Sequence, residues 1–289
     1  MKWPAFGYAR ANTLDEIWAL KAACPGEARL LAGGQSLLAA LAFRLSQPDE
    51  LIDISGVEAL RGIGESGDLL RLGALTRHVE LERDPLVARH APLLAKAAPL
   101  IAHPAIRNRG TLGGSLAYAD PAAELPACMV ALEACIIARS PRGERRIAAE
   151  AFFVGLFETA LAEDEIIAAV EIPKLRANQR VAILEVARRS GDYAMAGIAC
   201  RLTLEGSRIS SVRPVYFGVD SRPVLAKNLT AALAGLDLAG PDLEAGLAPL
   251  LTALDRDLDP PDDLHGPAAM KRHLARVLTA RALREMAGG

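Results

Sequence analysis

Two short glycine-centred runs are the best candidates for chemistry in this 289-residue chain: Ala32-Gly33-Gly34-Gln35-Ser36 and Thr111-Leu112-Gly113-Gly114-Ser115. A Gly-Gly pair beside hydroxyl residues removes Cβ atoms where the backbone must approach something closely. Successive main-chain N–H groups in such a turn form a small concavity suited to an anion. Gly-Gly after a strand is also the mark of a plain turn, so neither run is specific alone. Two of them in order point to a pair of turns gripping one ligand that carries a diphosphate. Neither has G-x-G-x-x-G spacing, which disfavours a nicotinamide-dinucleotide fold.

The second run lies within residues 101–126, which also hold His103-Pro104, the cations Arg107 and Arg109, and an Asp120-Pro121 stop. His103 is either a turn histidine bonded to local backbone or a polar group beside the ligand. Arg107 and Arg109 are either surface charges or part of the site. Arg188-Arg189-Ser190-Gly191-Asp192-Tyr193 reads as a polar loop, or as a loop that carries Tyr193 across the ligand from a second domain. No Ser-His-Asp grouping, metal-ligand cluster or paired catalytic carboxylates stands out; Glu163-Asp164-Glu165 reads as a solvated turn. So little acid–base machinery fits a protein that binds and orients a cofactor which carries the chemistry.

The elements that must position these residues follow from periodicity. The first 55 residues read β-α-β, glycine turn, α-β: a strand over 5–10, a helix capped by Thr13 with Glu16 completing a capping box, a strand over 29–32, a helix over 36–44 and a strand over 51–54. A second α/β unit starts near Val57. Its strands pair around Ser66-Gly67-Asp68, Thr76 is expected to cap a helix over 78–83, and 85–100 is helical with a restart at Pro92. Residues 101–126 lack a strict period, which argues against a packed regular element there. A helix over 125–132, a strand over 134–138, a turn at 140–143 and a strand over 165–172 follow, with Arg142 to Arg146 read as solvated turns. Beyond Lys174 come strands over 181–188, 194–204 and 208–219, the last two joined at Gly206-Ser207. Helices run from Ala226 with breaks at Gly240-Pro241 and Pro260-Pro261. Strands followed by helices indicate a separate α+β domain.

Composition narrows the class. Half the residues (51%) are hydrophobic, enough for a large core, and a net charge of -2 gives no reason to expect a nucleic-acid surface. Cys24, Cys128, Cys135 and Cys200 have no C-x-x-C spacing, and the last three are read as small core residues. The N-terminus lacks the apolar stretch of a secretory signal, and no apolar run reaches the roughly 20 residues of a membrane span. The expected location is cytoplasmic, or periplasmic only in company with a partner that carries a signal.

The runs AGGQSL, IRNRGTLGGSLAYADPAAELPA and ARRSGDYAMAGIA together resemble the FAD-binding medium subunit of molybdenum hydroxylases. The carbon monoxide dehydrogenase medium subunit is the nearest type and the xanthine dehydrogenase flavin domain a more distant one. LIDIS, GALTRHVEL and DLHGPAAMKRHLARVLTARAL fit the same family, so the resemblance covers essentially the whole chain. It implies an α+β protein. A two-subdomain FAD-binding fold of the vanillyl-alcohol-oxidase-like type (1–176, as 1–56 and 57–176) precedes a C-terminal domain (177–289) of a three-stranded antiparallel sheet and a helical bundle.

The resemblance also implies site residues. Leu30, Leu31, Ala32, Gly33, Gly34, Gln35, Ser36 and Leu37 match one pyrophosphate loop, and Thr111, Gly113, Gly114 and Ser115 the other. Ile101 matches an apolar position near the ring system, Glu124 an acid that bonds the ribose region, and Ile166 or Ile167 an aliphatic contact. Tyr193 matches an aromatic beside the isoalloxazine and a possible gate of the flavin face; His103 and Ile106 are grouped with the site. Two departures stand out: Glu185 where relatives often carry Lys, and Met270 where Tyr is common. No cysteine-rich insertion is present for an extra iron–sulfur cluster.

The implied function is an electron-transfer subunit with non-covalent FAD. Electrons would come from 2Fe–2S clusters on a small partner, ultimately from a molybdenum cofactor on a large partner, in a dimer of heterotrimers, and leave to an external acceptor. The alternatives are a free-standing flavin oxidase or reductase, for which only His103 and Tyr193 offer a base, and a non-catalytic binding module.

Overall fold

The structure, a computed structural model, describes residues 3–240 and 243–288. Short strands open the chain: β1 (Gly7–Arg10), β2 (Ala28–Leu31) and β3 (Glu50–Asp53) pair in parallel in the order β1-β3-β2. Parallel neighbours need crossovers, and α1 (Leu14–Ala23) and α2 (Leu37–Ala42) supply them. Thr13 caps α1 by accepting from the Glu16 amide, but the Glu16 carboxylate takes the amide of Asn12. The expected capping box is therefore displaced by one residue.

The second unit is built on an antiparallel sheet. Its strands are β4 (Ile63–Ser66), β5 (Leu69–Gly73), β6 (Cys135–Ser140), β7 (Gly143–Ala148) and β10 (Ile166–Pro173), ordered β4-β5-β10-β6-β7; β8 (Phe153–Gly155) and β9 (Glu158–Thr159) form a separate ribbon. Central β10 is buried on both faces, which explains its unbroken apolar run. Ile166 packs into the core of the first unit with Ile17 and Ile52, while Ile167 joins the larger core with Val170 and Phe152.

Several expectations are corrected here. Residues 143–148 are the edge strand β7 rather than solvated turns; Arg145 bonds Glu165, and Arg146 and Arg71 flank the buried Glu171. Glu165 accordingly has a 6% exposed side chain instead of a solvated one. Arg77, not Thr76, caps α3 (His78–Arg83), with the Glu80 carboxylate accepting the Arg77 amide. The helices α4 (Pro85–His90) and α5 (Pro92–Ala97) restart at Pro92 as expected. Residues 101–126 do form packed elements, α6 (Pro104–Arg107) and α7 (Leu112–Tyr118), too short for a period to show. Cys128 and Cys200 are buried, whereas Cys135 is only partly so.

The helix α8 (Glu124–Ala131) is apolar all round because it is enclosed all round, as such a helix must be. It lies between the antiparallel sheet, reached through α9 (Ala149–Phe152), and the sheet of the last domain. That sheet has four strands, not three: β11 (Gln179–Val186), β12 (Ala196–Glu205), β13 (Arg208–Phe217) and the two-residue β14 (Val224–Leu225), in sequence order. The helices α10 (Lys227–Leu233), α11 (Leu243–Leu250), α12 (Leu254–Asp257) and α13 (Ala268–Ala287) complete this domain, with α13 packed on β11 and β12. Pro260-Pro261 falls between α12 and α13; Pro241 lies outside the described residues. No helix among the described residues is long and apolar enough to cross a membrane.

Charged side chains staple the last domain to the end of α8. Arg201, 8% exposed, donates to the Leu132 carbonyl at 3.3 Å and pairs with Glu133; Arg213 donates to the Val130 carbonyl and to Glu150. Arg201→Leu would strip the Leu132 carbonyl of a charged donor and should lower unfolding stability by about 2 kcal/mol. Urea denaturation of the single variant checks this.

Candidate functional site

The two glycine runs meet through their backbones. Gly33 has no room for a Cβ: one built there would overlap the Arg109 carbonyl and lie 2.9 Å from Gly110 Cα. Gly34 is held at φ +75°, a conformation that glycine adopts without strain. The Gln35 side chain donates back to the Gly33 carbonyl at 3.0 Å and stiffens the turn. Leu30 and Leu31 end β2, Leu30 and Ala32 pack against the first core, and Ser36 and Leu37 begin α2.

The runs differ in what they offer. The amides of Gly33, Gly34, Gln35 and Ser36 have no acceptor among the described residues, so the first turn is rich in open donors. The second run spends nearly all of its amides internally. Leu112 N donates to the Thr76 carbonyl, Gly113 N to Ala74, Gly114 N to Thr111 Oγ1 and Ser115 N to the Thr111 carbonyl. The expected concavity of successive free amides is therefore absent at 111–115; Thr111 is the N-cap of α7, and its own amide is the one left open. Gly113 is glycine because the helix start rests on Ala74, whose Cβ would lie 2.6 Å from an added one.

A shelf runs from this loop toward the last domain. Arg107 is structural: its guanidinium bonds Glu82 at 3.0 Å and the carbonyls of Pro99, Ile101 and Ala102. It thereby sets the bend at Ala102, whose φ is +43°. Ile101 is half-buried against the main core, and the Ile106 carbonyl takes the amides of Arg109 and Gly110. His103 is exposed and caps α6 without a side-chain bond, while the Arg109 side chain is exposed. Gly191, at φ +85°, sits on Ala102 and His103; a Cβ there would lie 2.8 Å from the Ala102 carbonyl and 2.9 Å from the His103 ring. Tyr193, 61% exposed, is hydrogen-bonded to Asp120. The structure thus sets the first glycine run against Arg109 and Gly110, just before the second, and sets Gly191 of the Tyr193 loop against Ala102 and His103. Ile166 and Ile167 are buried core residues.

Acids gather below Tyr193. Glu124 begins α8, where burial, then Glu185 and Asp120, push its pKa up to about 8. Glu185 on β11 is raised to about 7 by burial, and its Oε2 is shielded without a partner among the described residues. Sequence reasoning read Asp120 only as a stop and left Glu82, His78 and Ala102 unassigned. Their roles come from partners 25 to 73 positions away, or from a backbone angle, and no spacing signals either.

Backbone donors at two abutting loops, a cradle too narrow for side chains and an aromatic delivered by another domain fit a diphosphate-bearing ring cofactor. These features suit a flavin-dinucleotide-binding chain. Residues 4–175 match the family described as FAD binding domain in molybdopterin dehydrogenase, and residues 182–286 the CO dehydrogenase flavoprotein C-terminal domain. The chain belongs to this flavoprotein family. It is 39% identical to the nicotine 6-hydroxylase medium subunit of Paenarthrobacter nicotinovorans, across 99% of this chain and 98% of that one. Among solved structures, quinoline 2-oxidoreductase from Pseudomonas putida 86 contains a chain with TM-score 0.93 and 37% identity, covering 100% of this chain and 99% of that one. Carbon monoxide dehydrogenase from Hydrogenophaga pseudoflava gives TM-score 0.93 and 35% identity over 99% and 98%.

Two outcomes are expected. Gly33→Ala forces the loops apart at a strain of about 1–3 kcal/mol and should weaken FAD binding at least ~tenfold, with the circular dichroism spectrum unchanged; titration of the FAD-free chain checks this. The raised pKa of Glu185 means that the folded chain holds its proton more tightly than the unfolded chain. That contribution to stability is present below pH ~4.5 and lost as pH rises through about 7. Glu185→Gln keeps the neutral form, so the FAD-free variant should gain thermal stability over the unsubstituted chain at pH 8 and little at pH 4.5.

Proposed function

We propose that this chain is the FAD-bearing electron-transfer subunit of a molybdenum hydroxylase complex. The carrying observation is the pair of abutting loops, open in donors on one side and rigid on the other, beside an aromatic from the neighbouring domain. Bound there, FAD supplies redox chemistry that exchanges electrons singly or in pairs. The first loop's amides stabilise the diphosphate charge, since preorganised donors need no rearrangement on binding. The Arg107-set shelf and Ile101 support the ring system. Tyr193, oriented by Asp120, covers its outer face and limits access by water and small molecules. Glu124 is placed for the ribose hydroxyls and, as a protonated acid, can donate as well as accept.

Substrate oxidation belongs to a partner in this reading. Relatives carry the names of medium subunits, and one solved relative is described as a Cu,Mo carbon monoxide dehydrogenase. A large molybdenum subunit and a small 2Fe–2S subunit, arranged as a dimer of heterotrimers in the cytoplasm, would deliver electrons to FAD here for transfer to an external acceptor. The exposed His103, without a side-chain hydrogen bond, is poorly placed as an oriented base for independent substrate chemistry. Co-purification from the native host should bring down two partners together with molybdenum and iron. Acid precipitation of the complex should release all the yellow colour to the supernatant; colour retained on the polypeptide contradicts the non-covalent assignment, and a metal-free isolated chain that turns over substrate contradicts the subunit assignment.

A further inference from the structure

The one open amide of the second loop is held by a residue outside it. His78, 6% exposed at the start of α3, reaches this loop with both its main chain and its ring. Its amide donates to the Gly110 carbonyl at 3.0 Å, and its Nε2 lies 3.1 Å from the Thr111 carbonyl. A carbonyl only accepts, so Nε2 carries the proton and Nδ1 is bare; Nδ1 is buried with no partner among the described residues. Burial, opposed by the Thr111 bond but reinforced by the nearby Arg107 charge, holds the imidazole pKa down to about 4. The ring is therefore neutral and in one tautomer at physiological pH.

The consequence is geometric. A trans peptide is planar, with C=O and N–H pointing in opposite directions. Pinning the Gly110 carbonyl toward His78 aims the Thr111 N–H away from it. Pinning the Thr111 carbonyl fixes the next peptide plane as well. His78 thus clamps both planes that flank Thr111. Thr111 and Arg77 form a bridge bonded through their neighbours, His78 N to Gly110 O and Leu112 N to Thr76 O, which likewise leaves the Thr111 amide outside the ladder.

We propose that His78 is a positioning residue for the cofactor diphosphate: its main-chain amide orients the peptide plane that carries the Thr111 N–H, and its ring, by donating to the Thr111 carbonyl, fixes the plane that follows, so that the clamp as a whole holds the single open amide of residues 110–115 in the ligand-binding orientation. The proposal rests on the FAD reading above. Full-length FAD-free chains carrying His78→Leu, His78→Asn and His78→Gln are titrated with FAD and with ADP, which carries the diphosphate without the flavin ring, and their melting midpoints are recorded. Gln extends an amide N–H to about the Nε2 position; Asn is one bond short. Loss of one hydrogen bond that orients the donor should cost roughly tenfold in affinity in the Leu and Asn variants, equally for FAD and ADP, with His78→Gln restored to within about threefold. Should Leu prove too unstable to fold, the polar Asn variant carries the comparison. Unchanged affinity in the Asn variant, a Gln variant as weak as Asn, or a loss confined to FAD overturns the role of His78. An unsubstituted chain that takes up no FAD overturns the FAD reading itself.

Discussion

One close approach organises the ligand face: the backbone at Gly33 lies against the backbone of Arg109 and Gly110 with no space for a side chain between them. The two loops come from different units of the fold, one ending a parallel strand and the other starting a helix beside an antiparallel sheet. Bringing two backbones together without Cβ atoms lets donors from both face a single anion. Any side chain at Gly33 would push the units apart and open the face before a ligand arrived.

The two loops, alike in sequence, do different work. The first leaves four amides open, so it supplies the positive potential. The second consumes its amides in capping α7 and in bonds to Ala74 and Thr76, so it supplies rigidity and one aimed donor. Rigid donors bind without a large ordering cost, because the orientation is already set in the folded chain. The same division recurs at the shelf. Arg107, a cation next to an anion-binding loop, is tied to Glu82 and three carbonyls and acts as a brace.

The junction with the last domain is both structural and functional. An α8 enclosed on all sides transmits the position of the C-terminal sheet to Glu124 at its start and to the Arg201 and Arg213 staples at its end. Gly191 resting on Ala102 and His103 fixes how far Tyr193 extends over the first domain. The price of this packing is a pair of half-buried acids: Glu185 helps raise the proton affinity of Glu124, and burial raises that of Glu185 itself.

The sequence by itself determined the class of each long element and the family. Strand-like runs such as 166–173 and the ordered trio of motifs are local, and local pattern is enough to recognise them. It also marked the glycines, since Gly-Gly between apolar runs has few other uses. Short elements escaped it: α6 and α7 have four and seven residues, less than the span over which a helical period can be counted. Arg142 to Arg146 looked solvated because their carboxylate partners lie about 20 positions or more away. Only the tertiary structure decided which amides stay open, that Arg107 is a brace, that His78 bonds the second loop, that Asp120 bonds Tyr193 and that Glu185 lies near Glu124. Those facts depend on the geometry of partners distant in sequence, and hydrogen bonds at about 3 Å leave no trace in residue spacing.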